Sequence, residues 1–482
     1  MARRGAGMNI YIRIEVLSRE LQGRLLLALV AAERGHRVII GKHNASRLLG
    51  TEGALGYPAG IFHDKSLGHS DPKTEVKKEV FARGWGLTAQ DEEHGLVTEQ
   101  FGHGMLDRFP EEGFDYNHRL YTWGDLDTAA LQRMLPDRAE NIRRTGSPRV
   151  DLWRPDIAGS LSADEVLEVT HGRRYVLVNP IGGWIPGGPE SVFGIDGTDD
   201  DVRRIADVTD GLRLMSRFIQ AADALAEQDP ERLVILRPHP GAPLEIWEKA
   251  TDRCRPNVIV SRRARLTPWL RNAEAVVANG STVAFEAQLL GTPHITYAPD
   301  GYFAYEAVTH RIGRTATTLG ELMATARDAR DASHRRNWYD EGMAEVVRER
   351  FSALEGALAA DRIVDDWGTL GSALGLQDAE EWSASRHLVR SRREAWRKPA
   401  DLLRRSAPAE TMLAEALPEQ VRASSQKARW VAPKSTFTEK FPPFDMSDIH
   451  AFHSDLARAT GRFARIRVEP QHDRLLLVTT ED

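Results

Sequence analysis

The sequence predicts an α/β protein made of two doubly wound domains, each with a parallel sheet covered by helices on both faces. The chain has 482 residues, which is more than one hydrophobic core normally supports. Residues 9–41 read as strand, helix and strand, and a second alternation of short apolar strands and helices occupies residues 173–297. Short apolar strands separated by helices are typical of parallel sheets buried on both faces.

The first domain is predicted to span residues 8–155. A β-rich run over 9–16 precedes the helical pattern LQGRLLLALVAAERG, which Gly35 closes, and a strand over 37–41 follows. This is a β-α-β unit. The elements expected after it are a strand in HRLYTWG (118–124), a helix over 127–135, a strand in NIRRTG (141–146) and a proline- and glycine-marked linker over 146–160.

The second domain is predicted to span residues 156–330. Its expected strands are 173–180, 233–237, 257–260, 275–278 and 294–297, and its expected helices lie within 200–228 and over 282–290. The segment 331–375 is expected to brace the two domains and to contain one long helix over 331–370. Residues 376–482 then form an extension with a basic helix and a small β-hairpin over 461–482.

Composition describes an ordinary soluble protein. The formal net charge of −6 does not favour a nucleic-acid partner, and the single cysteine, Cys254, excludes an intramolecular disulfide and fits a reducing compartment. The N-terminus has no apolar run long enough for a signal peptide, so we expect a cytoplasmic protein. The basic stretch 386–406 fits either peripheral contact with an anionic membrane or a solvated charged helix.

Two motifs follow strands of the second domain, where ligands of doubly wound sheets bind. The first is RPHPG, in which two prolines and Gly241 fix His239 in a turn, with Arg237 just before it. The second is Asn279-Gly280-Ser281-Thr282, which leads into the helix over 282–290. Its hydroxyls and backbone N–H groups can hold a phosphate at the start of a helix, although Ser and Thr there are also ordinary N-caps. Glu286, one turn later, can accept hydrogen bonds from ribose hydroxyls.

An acidic cluster, Asp91-Glu92-Glu93-His94-Gly95, lies in the first domain. Three consecutive carboxylates favour a loop, since like charges repel on a helix. Adjacent carboxylates that face a cleft raise one another's pKa and suit a general base. We predict Glu92 as the base, with Asp91 next and Glu93 as a further candidate. A solvated acidic loop is the alternative, and a metal site is weaker because no second ligand cluster is evident.

The combination of RPHPG with NGSTVAFEAQLLGTP resembles the nucleotide-binding half of bacterial GT-B glycosyltransferases, above all those that use CMP-activated acidic sugars. Sialyl-, polysialyl- and Kdo-transferases carry an acidic pair near a glycine, an HP dipeptide and a Ser/Ser-Thr element. The HP dipeptide would be His239-Pro240 and the hydroxyl element Ser281-Thr282. In that family the glycine follows the acidic pair directly, whereas here Glu93-His94 intervene, so the choice among the three acids stays open.

The N-terminal run RIEVLSRELQGRLLLALVAAERG also looks like surface-carbohydrate biosynthesis proteins. The positions that carry this likeness are Glu15, Ser18, Arg19, Glu20 and Arg24. The resemblance spans about residues 8–370. It implies two Rossmann-like domains facing an interdomain cleft, in which His239 stabilises the leaving phosphate, side chains and helix dipoles replace a metal, and no cofactor is needed. Asn179, at the end of a predicted strand, is a further candidate for the cleft.

The resemblance predicts transfer of a sugar from CMP-Kdo or another CMP-nonulosonate to a surface polysaccharide or glycolipid acceptor. Three alternatives stay open at this stage. A CDP-polyol phosphotransferase would share the RPHP element, a UDP-sugar transferase or epimerase would share the fold, and a non-catalytic scaffold for glycan assembly would need neither Glu92 nor His239. The residues do not identify the acceptor, the linkage or the anomeric outcome.

Overall fold

The computed structural model describes residues 7–42, 59–67, 71–92, 109–180, 199–239, 242–303, 308–376, 442–472 and 475–481. Two open sheets organise these residues, as the α/β pattern predicts. The strands of the first sheet are β1 Asn9–Ile14, β2 Arg37–Lys42, β3 Ile61–Asp64, β4 Gly86–Gln90, β5 Arg119–Thr122, β6 Ile142–Arg144, β13 Ile466–His472 and β14 Leu475–Thr480. They are arranged in the order β13-β14-β2-β1-β3-β4-β5-β6.

The second sheet is entirely parallel within the described residues. Its strands are β7 Tyr175–Asn179, β8 Leu233–Leu236, β9 Val258–Val260, β10 Val276–Ala278, β11 His294–Tyr297 and β12 Arg314–Ala316, in the order β12-β11-β10-β7-β8-β9. The strand order reverses between β7 and β10 here, and between β1 and β3 in the first sheet. Such reversals open a crevice at the carboxyl ends of the strands, which is where doubly wound sheets bind ligands.

Helices cover both sheets. They are α1 Leu17–Glu33, α2 Asp71–Ala82, α3 Asp125–Met134, α4 Pro148–Asp151, α5 Pro155–Ala158, α6 Asp164–Thr170, α7 Asp199–Gln228, α8 Leu244–Thr251, α9 Leu266–Asn272, α10 Val283–Leu289, α11 Leu319–Asp328, α12 Ala332–Arg336, α13 Glu341–Arg350, α14 Ala359–Ala373 and α15 Met446–Thr460. The two doubly wound α/β sheets of the sequence prediction are therefore present. Two central strands, β3 and β4, are absent from that prediction.

The single long helix expected over 331–370 is wrong. Three helices, α12, α13 and α14, occupy this segment, and the chain is extended at Phe351 between the last two. Two residues of the connection, Ala353 and Gly356, have left-handed φ angles of 64° and 69°. The break lets Phe351 turn inward, where its ring contacts Trp123, Trp153 and Phe285. Burial of a large aromatic side chain thus outweighs continued helix formation.

The hairpin predicted at the C-terminus is confirmed, and it completes the first sheet. Strand β14 pairs antiparallel with β2, which places Leu477 opposite Ile39. The predicted linker over 146–160 is more ordered than its prolines and glycines indicate. It contains α4 and α5, and its apolar side chains Val150, Trp153 and Ile157 are buried.

Asp151, the last residue of α4, anchors α14. Its two carboxylate oxygens accept the backbone N–H groups of Ala359 and Ala360 at 2.9 and 3.0 Å. These donors belong to the first turn of α14, which has no intrahelical acceptor for them. Burial raises the pKa of Asp151 to about 7, although the two N–H groups and Arg154 act in the opposite direction.

This raised pKa predicts a pH-dependent stability. Between about pH 4 and about pH 7, Asp151 is protonated in the folded protein but ionised in the unfolded chain. Because the folded state binds the extra proton, the free energy of unfolding falls as pH rises through this range. A shift of about three pKa units corresponds to about 4 kcal/mol. Urea unfolding between pH 4 and 8 should show this fall in the wild type and a flatter profile in Asp151→Asn. Parallel profiles would contradict the assignment.

Candidate functional site

The carboxyl edge of the first sheet holds a buried ion pair. Glu92 lies just after β4, and its Oε1 lies 2.7 Å from Nη2 of Arg24 on α1. The same Arg24 nitrogen donates to the carbonyl oxygen of Gln90 at 3.2 Å, and Nη1 contacts Nε2 of His63. The backbone beside Glu92 is also fixed, since the indole N–H of Trp123 donates to the carbonyl oxygen of Asp91 at 2.8 Å. The predicted acids Asp91 and Glu92 are therefore both held in place, and both are buried.

The environment of Glu92 raises the pKa of its carboxyl group. Burial raises the pKa of Glu92, and the negative charge of Glu20 acts in the same direction. Arg24, Arg149 and Arg19 oppose this rise without cancelling it. A raised pKa is one property of a general base, and that role of Glu92 stays a prediction. The third acid of the cluster, Glu93, lies outside the described residues.

Glu20 organises the start of α1 beside this pair. Its carboxylate accepts the backbone N–H groups of Glu15 at 2.8 Å and Val16 at 3.2 Å. Arg19 lies 3.5 Å from the same carboxylate, and Lys65 lies 2.6 Å from the carboxylate of Glu15. Glu15 and Arg19, both predicted for the cleft, thus stand at this carboxyl edge as members of ion pairs.

The second sheet presents its predicted hydroxyls at its own carboxyl edge. Gly280 follows β10 with a φ of 69°, a left-handed conformation that suits glycine. The chain then enters α10 through Ser281 and Thr282, which are both half-buried. The Ser281 hydroxyl accepts the backbone N–H of Val283 at 3.3 Å, so Ser281 does serve as a local cap. The Thr282 hydroxyl makes no such cap and faces the first domain.

Glu286 lies one turn into α10 and is buried. Its Oε1 accepts the hydroxyl of Thr267. Burial raises its pKa, whereas Thr267, Arg149 and Arg237 act to lower it. The positive charges of two guanidinium groups thus act on this carboxylate. Its predicted contact with ribose stays a prediction.

Arg237 and His239 follow β8 and have different environments. Arg237 donates to the carbonyl oxygens of Arg263 and Ala264, each at 2.8 Å, and burial lowers its pKa to about 10 with help from Arg262. Arg237 therefore shapes a neighbouring loop. His239 is exposed, and its carbonyl oxygen accepts the backbone N–H of Ala242 at 2.8 Å, which closes the turn. Pro240 lies outside the described residues.

Strand register relates His239 to the hydroxyl element. Strand β7 lies between β8 and β10, so the carboxyl ends of β8 and β10 lie about 9–10 Å apart. Asn179 ends β7 opposite Ala278 of β10 and therefore stands between them. His239, Asn179 and Thr282 therefore share the carboxyl edge of the second sheet.

Arg149 joins the two domains at this place, and the sequence prediction missed it. One guanidinium nitrogen donates to the carbonyl oxygen of Glu92 at 3.2 Å, and the other lies 3.4 Å from the Thr282 hydroxyl. Gly23 on α1 permits this position, because a Cβ there would lie 3.1 Å from the backbone nitrogen of Arg149. One side chain thus connects the backbone of Glu92 in the first domain with the Thr282 hydroxyl in the second domain.

Among the residues that the structure describes, no three His, Cys, Asp or Glu side chains are arranged to bind a metal ion. In the same part of the chain, no helix is both long enough and apolar enough to cross a membrane.

No protein-family model matches the sequence, and no curated protein matches it. A Listeria monocytogenes protein assigned as a UDP-N-acetylglucosamine 2-epimerase is 12% identical, with 78% of this chain and 100% of that chain covered and a TM-score of 0.49. A variant of the wall teichoic acid polymerase TagF is 13% identical, covering 76% and 90%, with a TM-score of 0.49. The UDP-GlcNAc 2-epimerase of Methanocaldococcus jannaschii is 13% identical, covering 75% and 100%, with a TM-score of 0.48. Similarity this low says nothing about activity.

Proposed function

We propose that this protein is a GT-B glycosyltransferase that moves a sugar from a nucleotide-activated donor to a surface polysaccharide or glycolipid acceptor. The observation that carries the proposal is the position of Arg149 between Glu92 of the first domain and Thr282 of the second. In this proposal a base, a cation and an edge with hydroxyls border one cleft. A general base and groups that stabilise the leaving phosphate together serve sugar transfer from a nucleotide.

The donor phosphate lies between Thr282, Arg149 and His239 in this proposal. Thr282 precedes α10, and Gly280 lets the backbone approach closely. As the bond between the anomeric carbon and the phosphate oxygen breaks, negative charge grows on the leaving nucleoside monophosphate. Arg149 and the imidazole of His239 stabilise that charge more strongly in the transition state than in the ground state. This assignment requires no metal and no cofactor.

Glu92 is the proposed base. It accepts the proton of the acceptor hydroxyl while that oxygen forms the new bond to the anomeric carbon. Burial holds its pKa above the ordinary range, so the carboxylate is more basic than an exposed glutamate. Arg24 fixes its orientation at 2.7 Å. The nucleoside monophosphate departs from the opposite domain, so proton acceptor and leaving group stand on different sides of the cleft.

The preference for CMP-Kdo or another CMP-nonulosonate depends on the sequence resemblance at His239-Pro240 and Ser281-Thr282. We propose a cytoplasmic enzyme whose acceptor is a growing glycan or its lipid-linked precursor. Contact with an anionic membrane belongs to the basic stretch 386–406, which lies outside the described residues.

A thermal-shift panel of CMP, CDP, UDP and GDP tests this function. We expect the largest stabilisation with CMP, and we expect Thr282→Val and His239→Ala to reduce it, because ligand binding to the folded state raises the unfolding temperature. Thr369→Val, on the exposed side of α14, is the matched control and should respond as the wild type.

Other outcomes of the panel select other functions. A preference for CDP together with a phosphate in the product linkage would indicate a polyol phosphotransferase. A preference for UDP with conversion of the donor in the absence of acceptor would indicate an epimerase. No response to any nucleotide would contradict the enzyme and favour the scaffold.

A further inference from the structure

We propose that the C-terminal module, residues 442–472 and 475–481, positions the loop 261–265 at the donor edge, with Arg265 as the positioning residue. The donor edge is the carboxyl edge of the second sheet that carries His239 and Thr282. That it binds a donor rests on the proposed function, but the contacts between the module and the loop do not. The module follows the second domain in the chain, yet its strands belong to the first sheet. It therefore reaches the second domain from the first.

The module is bound firmly to the first domain. Strand β14 pairs with β2, and the apolar face of α15 inserts Phe452 and Leu456 into the core cluster that contains α1. Arg462, just after α15, lies 2.5 Å from the carboxylate of Glu33 on α1 and 2.8 Å from that of Asp361 on α14. The strand pairing and the apolar packing fix α15 relative to the first sheet, and the Arg462 ion pairs add surface contacts beside them.

Arg265 of the second domain binds α15 through both of its terminal guanidinium nitrogens. One guanidinium nitrogen pairs with the Asp448 carboxylate and donates to the Asp448 carbonyl oxygen at 2.7 Å. The other nitrogen lies 3.3 Å from Asp455, and the guanidinium carbon lies 4.7 Å from the centre of the Phe452 ring. The Arg265 side chain is only 11% exposed and that of Asp455 only 5% exposed. The Asp448 side chain is 45% exposed, so it is the pair with Asp455 that solvent and salt screen less than a surface pair.

The loop that Arg265 ends is part of the donor edge. Arg262 donates to the carbonyl oxygens of His239 at 3.4 Å and Ala242 at 3.0 Å, so it spans the turn that carries His239. Ala264 has a φ of 60°, a left-handed conformation that a non-glycine residue adopts only when its surroundings enforce it. Arg237 enforces it from one side through the carbonyl oxygens of Arg263 and Ala264, and Arg265 holds the other side against α15.

These contacts form a continuous path from the first sheet through α15, Arg265 and the loop 261–265 to His239. The path shares no residue with the bridge that Arg149 makes between Glu92 and Thr282. Release of Arg265 would let the strained loop relax and would move Arg262 and the His239 turn. We therefore expect donor affinity to depend on the contact between Arg265 and α15.

The experiment compares Arg265→Gln with Arg462→Gln in the full chain. Both changes remove one guanidinium from the module's ion pairs, but only Arg265 belongs to the loop, whereas Arg462 contacts Glu33 and Asp361. CMP titration by calorimetry should show a Kd raised roughly tenfold in Arg265→Gln and by less than about twofold in Arg462→Gln. Arg265→Lys should restore part of the affinity.

Hydrogen exchange without ligand separates this inference from the proposed function. The backbone N–H groups of Ser261 and Ala242 are bonded to the carbonyl oxygens of Leu236 and His239. They should exchange faster in Arg265→Gln and at the wild-type rate in Arg462→Gln. If both variants exchange alike, the module merely stabilises the protein and the inference is overturned. If the wild type binds no nucleotide but exchange differs as expected, the proposed function fails and the positioning role stands.

Discussion

Replacement of Glu92 by glutamine should lower kcat for sugar transfer by roughly 10²–10⁴-fold, because a positioned base contributes about that much to such a step. In the wild type, kcat/KM should fall as pH decreases through the raised pKa of Glu92, since only the carboxylate accepts the acceptor proton. The residual activity of Glu92→Gln should lack this acid limb. Initial rates of CMP release from CMP-Kdo across a pH series measure both effects.

Stability has to be measured beside these rates. Glutamine leaves the buried Arg24 guanidinium without its counter-charge, and breaking a buried ion pair in this way typically destabilises a protein by about 3–5 kcal/mol. Glu92→Asp retains the charge and serves as the matched variant. Asp91→Asn and Glu93→Gln test the other two acids. A larger loss of kcat in either of them than in Glu92→Gln would contradict the choice of base.

Replacement of Arg149 by methionine should lower kcat/KM roughly 10–100-fold, since a hydrogen bond to a charged group is worth about 1.5–3 kcal/mol. Methionine retains an apolar chain beside Trp153, whose ring centre lies 5.4 Å from the guanidinium carbon of Arg149. The loss should appear in both nucleotide Kd and kcat, because the phosphate carries most charge in the transition state. Stopped-flow binding and steady-state rates separate the two parts.

Arg144→Met is the control for this change. Arg144 is exposed on β6 and pairs at the surface with Asp125. Surface ion pairs contribute little to stability, about 0–1 kcal/mol, so this variant should retain wild-type rates and affinity. Equal losses in Arg149→Met and Arg144→Met would indicate a general effect of arginine removal and would argue against the bridge.

Much of the fold could be predicted from the sequence, because hydrophobic period is a local property. The strand over 294–297 and the helix at 199–228 stand close to where the pattern predicts them. Strand β4 has the sequence GLTAQ, with only one large apolar residue. The hydrophobic pattern alone therefore does not predict that this segment is a buried strand. The pairing of β14 with β2 joins residues more than 400 positions apart, and no local pattern encodes such a contact.

The candidate site shows the same limit. Thr282 could be selected because it follows a predicted strand, and Glu92 because it belongs to a run of three consecutive acids. Arg149 could not, since it lies in a segment that reads as a linker, and its position depends on the absence of a side chain at Gly23. Gly23 on α1 lies opposite the Ser-Pro-Arg sequence that begins α4. This pairing would predict the position of Arg149 only if the contact between α1 and α4 were already known. Arg237 precedes His239 in the RPHPG motif, but the motif does not predict its contacts, which are backbone carbonyl groups of the next loop.

A double-mutant cycle on CMP affinity tests the central claim most directly. Calorimetric titration of the wild type, Arg149→Met, Thr282→Val and the double variant gives the coupling energy between the two side chains, which lie 3.4 Å apart. If both hold the same phosphate across the cleft, the losses should be non-additive by about 0.5–3 kcal/mol. Strictly additive losses, or an affinity for CMP that neither change affects, would contradict a donor site shared by the two domains.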